Sequence, residues 1–180
     1  GVIVEQSPGK YELIGFATRG EDTGLTLEIT DWDLDGTEEF LISLDFPGEG
    51  EDRVAVYDYR SGRIRRILSE SSTGYRILRP KENRAVLVLP GPDASLRLFG
   101  YVPEGEMELQ QEIPLSSGLS QPRLDILVNP DGSETLLVRG EIPAGAVTDL
   151  IGLRGEKFHN LFYEEGPGYS PRTLISWPVE

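Results

Sequence analysis

With 180 residues, a net charge of −14 and no cysteine, the chain is long enough to bury a core and has neither a disulfide framework nor thiol chemistry. It is also too acidic for nucleic acid to be its main partner. Hydrophobic residues make up 38% and recur in short periodic runs, which excludes a disordered acidic tail, and no apolar run is long enough for a membrane span. The charge is uneven: between Glu21 and Asp58 thirteen acidic residues face a single basic one, Arg53, while between Arg60 and Arg84 eight basic residues face two acidic ones.

No composition shift marks a linker, so residues 1–180 read as one domain, and the start at Gly1, without Met, reads as a trimmed terminus. The run Tyr11–Ala17 has strand character. Leu25, Leu27 and Ile29 alternate with polar residues, and Phe40–Leu44 is an apolar run, so both read as strands. Between them lies Asp31-Trp32-Asp33-Leu34-Asp35-Gly36-Thr37-Glu38-Glu39. Its alternate carboxylates can converge on one hard cation, Gly36 permits the sharp bend, the Thr37 carbonyl supplies an oxygen, and Glu39 closes the set. An EF-hand loop would need Glu at its twelfth position, where this chain has Ile42, and it would need flanking helices. The competing reading is an acidic turn whose Asp side chains cap their own backbone. Five carboxylates in nine residues, the four candidate ligands and Glu38, repel one another, which favours a cation. An all-oxygen donor set favours Ca2+ over zinc or magnesium. Trp32 points away from the side of Asp31 and Asp33, and its expected place is against a neighbouring sheet.

Three weak copies of one pattern follow. The first runs Glu39–Leu44, a Pro47-Gly48 turn, Val54–Tyr59, Ser61-Gly62 and Arg63–Leu68. The second runs Arg84–Leu89, Pro90-Gly91, Ser95–Tyr101, Glu104-Gly105 and a strand from Met107, with Glu106–Ile113 assigned to strand despite a helix-forming composition. The third runs Glu134–Val138, a turn from Gly140 to Gly145, Ala146–Ile151, Arg154-Gly155 and Lys157–Phe162. Gly62, Gly105 and Gly155 lie 43 and 50 residues apart, about the length of a four-stranded propeller blade. Aligning Asp35-Gly36 with Asp131-Gly132 sets Leu127 against Asp31, Asn129 against Asp33 and Thr135 against Glu39, so the third loop lacks ligands. The middle loop, Pro80–Asn83, has no acidic ladder, and one metal site is expected. At the end of the chain Arg172–Trp177 reads as a strand, and with Tyr11–Ala17 it would make a shared terminal sheet.

The D-x-D-x-D-G-x-x-E loop between two strands resembles the FG-GAP (VCBS) repeat of integrin-α-type β-propellers, with the likeness concentrated in residues 24–68. The resemblance implies that Asp31, Asp33, Asp35 and Glu39 give side-chain oxygens and Thr37 a backbone carbonyl. Family loops usually close on Asp, where this one has Glu39.

Catalytic inventory is thin. The single histidine, His159, falls in a strand-like run, and no nucleophile elbow surrounds Ser116, Ser117 or Ser120. No glycine loop of the Walker or dinucleotide type is present. The stripe Arg60, Arg63, Arg65, Arg66, Arg76 and Arg79 reads as an outer strand in solvent rather than a base-stacking platform. The resulting expectation is an all-β, propeller-like array of antiparallel four-stranded sheets, about three repeats plus a shared terminal sheet. Its expected role is non-catalytic, with structural Ca2+ supporting binding of a protein or glycan partner. Two alternatives stay open: a metal-dependent carbohydrate- or phosphoester-active enzyme, and an assembly subunit with an acidic docking face. Weak calcium loops need extracellular calcium levels, so the expected location is secreted, periplasmic or at the cell surface.

Overall fold

The computed structural model describes residues 2–7, 10–14, 24–32, 36, 38–45, 52–60, 63–81, 84–102, 105–116, 119–143 and 145–161. All regular structure among them is β. A two-stranded hairpin, β1 (Val2–Ser7) with β2 (Lys10–Ile14), precedes three four-stranded antiparallel meanders. The first sheet holds β3 (Gly24–Thr30), β4 (Glu39–Asp45), β5 (Asp52–Arg60) and β6 (Arg63–Ser72) in chain order. The second holds β7 (Arg76–Lys81), β8 (Arg84–Gly91), β9 (Ser95–Val102) and β10 (Glu106–Pro114). The third holds β11 (Ser120–Val128), β12 (Glu134–Ile142), β13 (Gly145–Arg154) and β14 (Lys157–Asn160).

The three sequence copies therefore coincide with the second, third and fourth strands of the three sheets. Glu106–Pro114 is a strand although its residues favour helix, because Met107 and Ile113 point into apolar cores and the ladder to β9 supplies its backbone bonds. Two turns differ from expectation. Pro90 and Gly91 stay within β8, and the chain reverses at residues 92–94, where Asp93 and Ala94 take left-handed φ of 55° and 53°. Gly140 lies inside β12, paired with Val147, and a Cβ there would meet the Ser120 carbonyl oxygen at 2.9 Å. Close approach of backbone, not a turn, is what that glycine permits. Strand β1 carries no signal used above. The runs at Pro47-Gly48, Ser61-Gly62 and Arg172–Trp177 lie outside the described residues.

The second sheet is the middle layer. Along β8, Val86 and Val88 join Leu78, Leu96, Leu98 and Ile113 in a core shared with Leu124, Leu136, Val138 and Ile151 of the third sheet. The alternate residues Leu87 and Leu89 join Ile77, Phe99 and Met107 in a second core with Leu41, Val54, Val56 and Ile67 of the first. Period-2 alternation normally separates a wet face from a dry one, so a continuous apolar run such as Ala85–Leu89 marks a strand covered on both sides. At about 25 cal/mol per Å² of apolar area removed from water, these two cores are the main stabilising term.

Polar struts join the layers. Arg97 of β9 reaches Glu70 of β6 at 2.6 Å and donates to the Ser71 carbonyl at 2.9 Å. Arg65 of β6 bonds the Gly105 carbonyl and lies 3.6 Å from buried Asp58, which also accepts from the Tyr101 hydroxyl at 3.2 Å. Gln111 of β10 exchanges two bonds with the Phe158 backbone of β14.

Candidate metal loop

The β3–β4 connection is where the expected ligands can be placed. Asp31 directly follows β3 and is half-buried; Glu39 opens β4 and is 0% exposed. Asp33, Asp35 and Thr37 lie outside the described residues. Strand pairing brings the two described acids to the base of one loop: Thr30 is the ladder partner of Glu39, and the Trp32 amide donates to Glu39 Oε2 at 2.7 Å. Asp31 stands between these two residues. Its Oδ2 accepts the Gly36 N–H at 3.0 Å, while its Oδ1 is buried with no hydrogen-bond partner. Gly36 has φ +87° and open space around a would-be Cβ, so backbone conformation alone selects glycine there.

Both acids accept backbone N–H groups of their own loop, Trp32 to Glu39 and Gly36 to Asp31, as in an acidic turn that caps its own backbone, and one buried Asp31 oxygen is left over. Among the described residues no group of three His, Cys, Asp or Glu side chains comes together as a metal site. The left-over Asp31 oxygen is an atom that a hard cation would suit.

Trp32 is 3% exposed and belongs to the core between the first and second sheets, so the sheet-packing role expected for it holds. The third loop differs. Asn129 donates its side-chain amide to Ser133 and Thr135 hydroxyls at 3.0 Å each, and Asp131 Oδ1 accepts from the Ser133 amide and hydroxyl at 3.0 and 2.6 Å. These bonds to Ser133 hold the Asp131 carboxyl below the usual carboxylate range.

The two loops emerge at the same end of the array. Arg79 of β7 connects them, donating Nη2 to the Thr30 hydroxyl at 2.8 Å and its amide to Glu134 Oε2 at 2.6 Å. Arg65, Arg66, Arg76 and Arg79 are all exposed, as expected of an outer stripe; the side chains of Arg60 and Arg63 lie outside the described ones. Ser116, one of the serines set aside above, is buried, and Asp149 accepts from both its amide and its hydroxyl at 2.8 and 2.7 Å. That clamp ties the β10–β11 connection to β13, and nothing in the local sequence announces it, since the partners are 33 residues apart.

No protein-family model matches the chain. No curated protein matches it either. Among the described residues, no helix is long and apolar enough to cross a membrane.

Proposed function

We propose that this is a non-catalytic, calcium-supported β-module that presents the loops at one end of its sheets to a protein or glycan partner. The observation that carries the reading is the base of the β3–β4 loop, where Asp31 Oδ1 is buried without a donor beside the fully buried Glu39. An anionic oxygen taken out of water without a partner is costly, and a divalent cation removes that cost. Calcium would be held by Asp31, Asp33, Asp35 and Glu39 with the Thr37 carbonyl, and its contribution there is charge neutralisation and loop rigidity. Arg79 supports the presentation of loops, because it holds the bases of the first and third loops on one side.

A propeller-like closure belongs to the same reading. On the face of the first sheet turned away from the second, Ile42, Leu44 and Ala55 are buried, which supports a further layer there, the place for a shared terminal sheet. A loop of this kind works at extracellular calcium levels, which favours a secreted, periplasmic or surface location.

Thermal unfolding in calcium and in chelator tests the proposal. At a hundredfold excess over Kd, calcium should add about 2.7 kcal/mol, a rise of roughly 5–10 °C for a chain of this size. Asp33→Ala should abolish the rise. An unfolding curve unchanged by chelator would remove the metal from the reading.

A further inference from the structure

We propose that the free edge of β3 is a strand-pairing site for an extended, basic peptide segment of a partner protein with apolar residues at alternate positions. The surface runs along the strand rather than around its loop end, and the proposal does not rest on the calcium reading.

An edge strand leaves a row of backbone N–H and C=O groups unpaired, and proteins guard such rows with proline, bulges, short strands or basic side chains. Of the six edges of the three large sheets, five are guarded in this way. β7 contains Pro80 and a register shift between Leu78 and Lys81, and β11 contains Pro122 and a shift between Ser120 and Arg123. β10 shifts between Leu109 and Gln111, β6 carries Arg63, Arg65 and Arg66 with a shift opposite Val56 and Tyr57, and β14 has only 4 residues. β3 has none of these devices. Its 7 residues pair with β4 in unbroken register, from Gly24 opposite Asp45 to Thr30 opposite Glu39, and include no proline, lysine or arginine. Among the described residues no strand pairs with its other side. Thr26, Leu27, Glu28 and Ile29 are all exposed, Ile29 by 52%.

Charge guards this edge instead, and charge is selective. β3 lies within the stretch from Glu21 to Asp58, where thirteen acidic residues face one basic one, so pairing it with the β3 of a second copy would bring two strongly anionic regions together. That repulsion keeps copies of this chain apart while leaving the edge open to a strand of opposite charge. The side chains of β3 specify the rest of the occupant. Glu28 and Thr30 face the second sheet, accepting from the Tyr75 hydroxyl at 2.7 Å and from Arg79 at 2.8 Å. Leu27 and Ile29 take the opposite face, beside their ladder partners Ile42 and Phe40. An added strand extends these two apolar rows with its own alternate residues and sets a lysine or arginine beside Glu28. Main-chain bonds then supply affinity, and the alternation supplies specificity.

The probe is a short peptide of alternating lysine and valine, added to the unaltered chain, with calorimetry to give Kd and hydrogen exchange to locate the contact. Binding should raise amide protection in residues 24–30. The same peptide N-methylated at every backbone amide keeps its charge but cannot complete a ladder, and it should bind about tenfold more weakly or worse. Ile29→Asp should weaken binding of the plain peptide about threefold, although it adds negative charge, because it breaks an apolar row. Equal binding of the methylated peptide, or binding to Ile29→Asp that is unchanged or tighter, would reduce the contact to charge attraction and overturn the proposal. No binding of the plain peptide, or protection confined to other strands, would overturn it as well. Sedimentation equilibrium of the chain alone examines the other occupant. A dimer that Ile29→Asp dissolves would assign the edge to a second copy and overturn the proposal; a monomer is expected.

Discussion

The first and third β-hairpin loops start from the same turn and solve its electrostatics in different ways. Each carries Asp-Gly with the glycine in the left-handed region, Gly36 at φ +87° and Gly132 at φ +81°. In the third loop, residues 129–133, the neighbours of Asp131 are neutral donors, and the side chains of Asn129, Asp131, Ser133 and Thr135 satisfy one another. In the first, residues 31–38, the corresponding neighbours are carboxylates, and Asp31 keeps a buried oxygen without a donor. A hydroxyl and amide ladder closes a turn with its own side chains, whereas a carboxylate ladder offers acceptors and no side-chain donors. The Asp-Gly pair therefore specifies the bend, and the residues around it specify how its carboxylate is satisfied.

The contrast can be broken most severely at Glu39. Glu39→Ala would strip the Trp32 amide of its acceptor and leave a void at a fully buried position, for a loss of about 3 kcal/mol in urea unfolding. Thr135→Ala, at the aligned position of the third loop, should cost about 1 kcal/mol, since it removes a single neutral hydrogen bond. Equal losses would dissolve the distinction between the loops. Gly36→Ala and Gly132→Ala sharpen it. With nothing within 4 Å of either Cβ, each should cost about 1–2 kcal/mol of backbone strain in chelator. In calcium the Gly36 variant should also lose part of the calcium-induced rise in Tm, and the Gly132 variant should not.

The smallest effect is one of pH. The folded-state pKa of Asp131 is lowered, mainly by the Ser133 hydroxyl, so its contribution to stability is present above the unfolded value of about 3.9 and is lost as pH falls through the folded value. Asp131→Ala should flatten that part of the acid limb of an unfolding titration slightly and leave the calcium dependence untouched. A change in calcium response would mean that the third loop also takes part in ion binding.

Much of the layout was legible before any coordinates. Alternation at Leu25, Leu27 and Ile29, the turn glycines Gly105 and Gly155, and the repeated strand pattern anticipated the meanders, because strand period and turn chemistry are local properties. The reversal at Asp93-Ala94 was not legible, since two non-glycine residues in the left-handed region break the usual turn preferences. Gly140 was misplaced for the opposite reason: its glycine signal is real, but its cause is the Ser120 backbone twenty residues away. The Ser116–Asp149 clamp and the Arg79 bridge were likewise beyond local reading, each depending on strands brought together from distant parts of the chain.

By itself the sequence determined that the chain makes antiparallel strands in groups of four, that one loop alone carries the full acidic ladder, and that the acid is concentrated before Asp58. Those features follow from side-chain period, turn residues and charge, which act over a few residues. Tertiary structure alone decided that the second sheet is covered on both faces and that Glu39 is enclosed while Asp131 stays in solvent. Burial is a property of what lies opposite, and for a stack of sheets what lies opposite comes from another repeat.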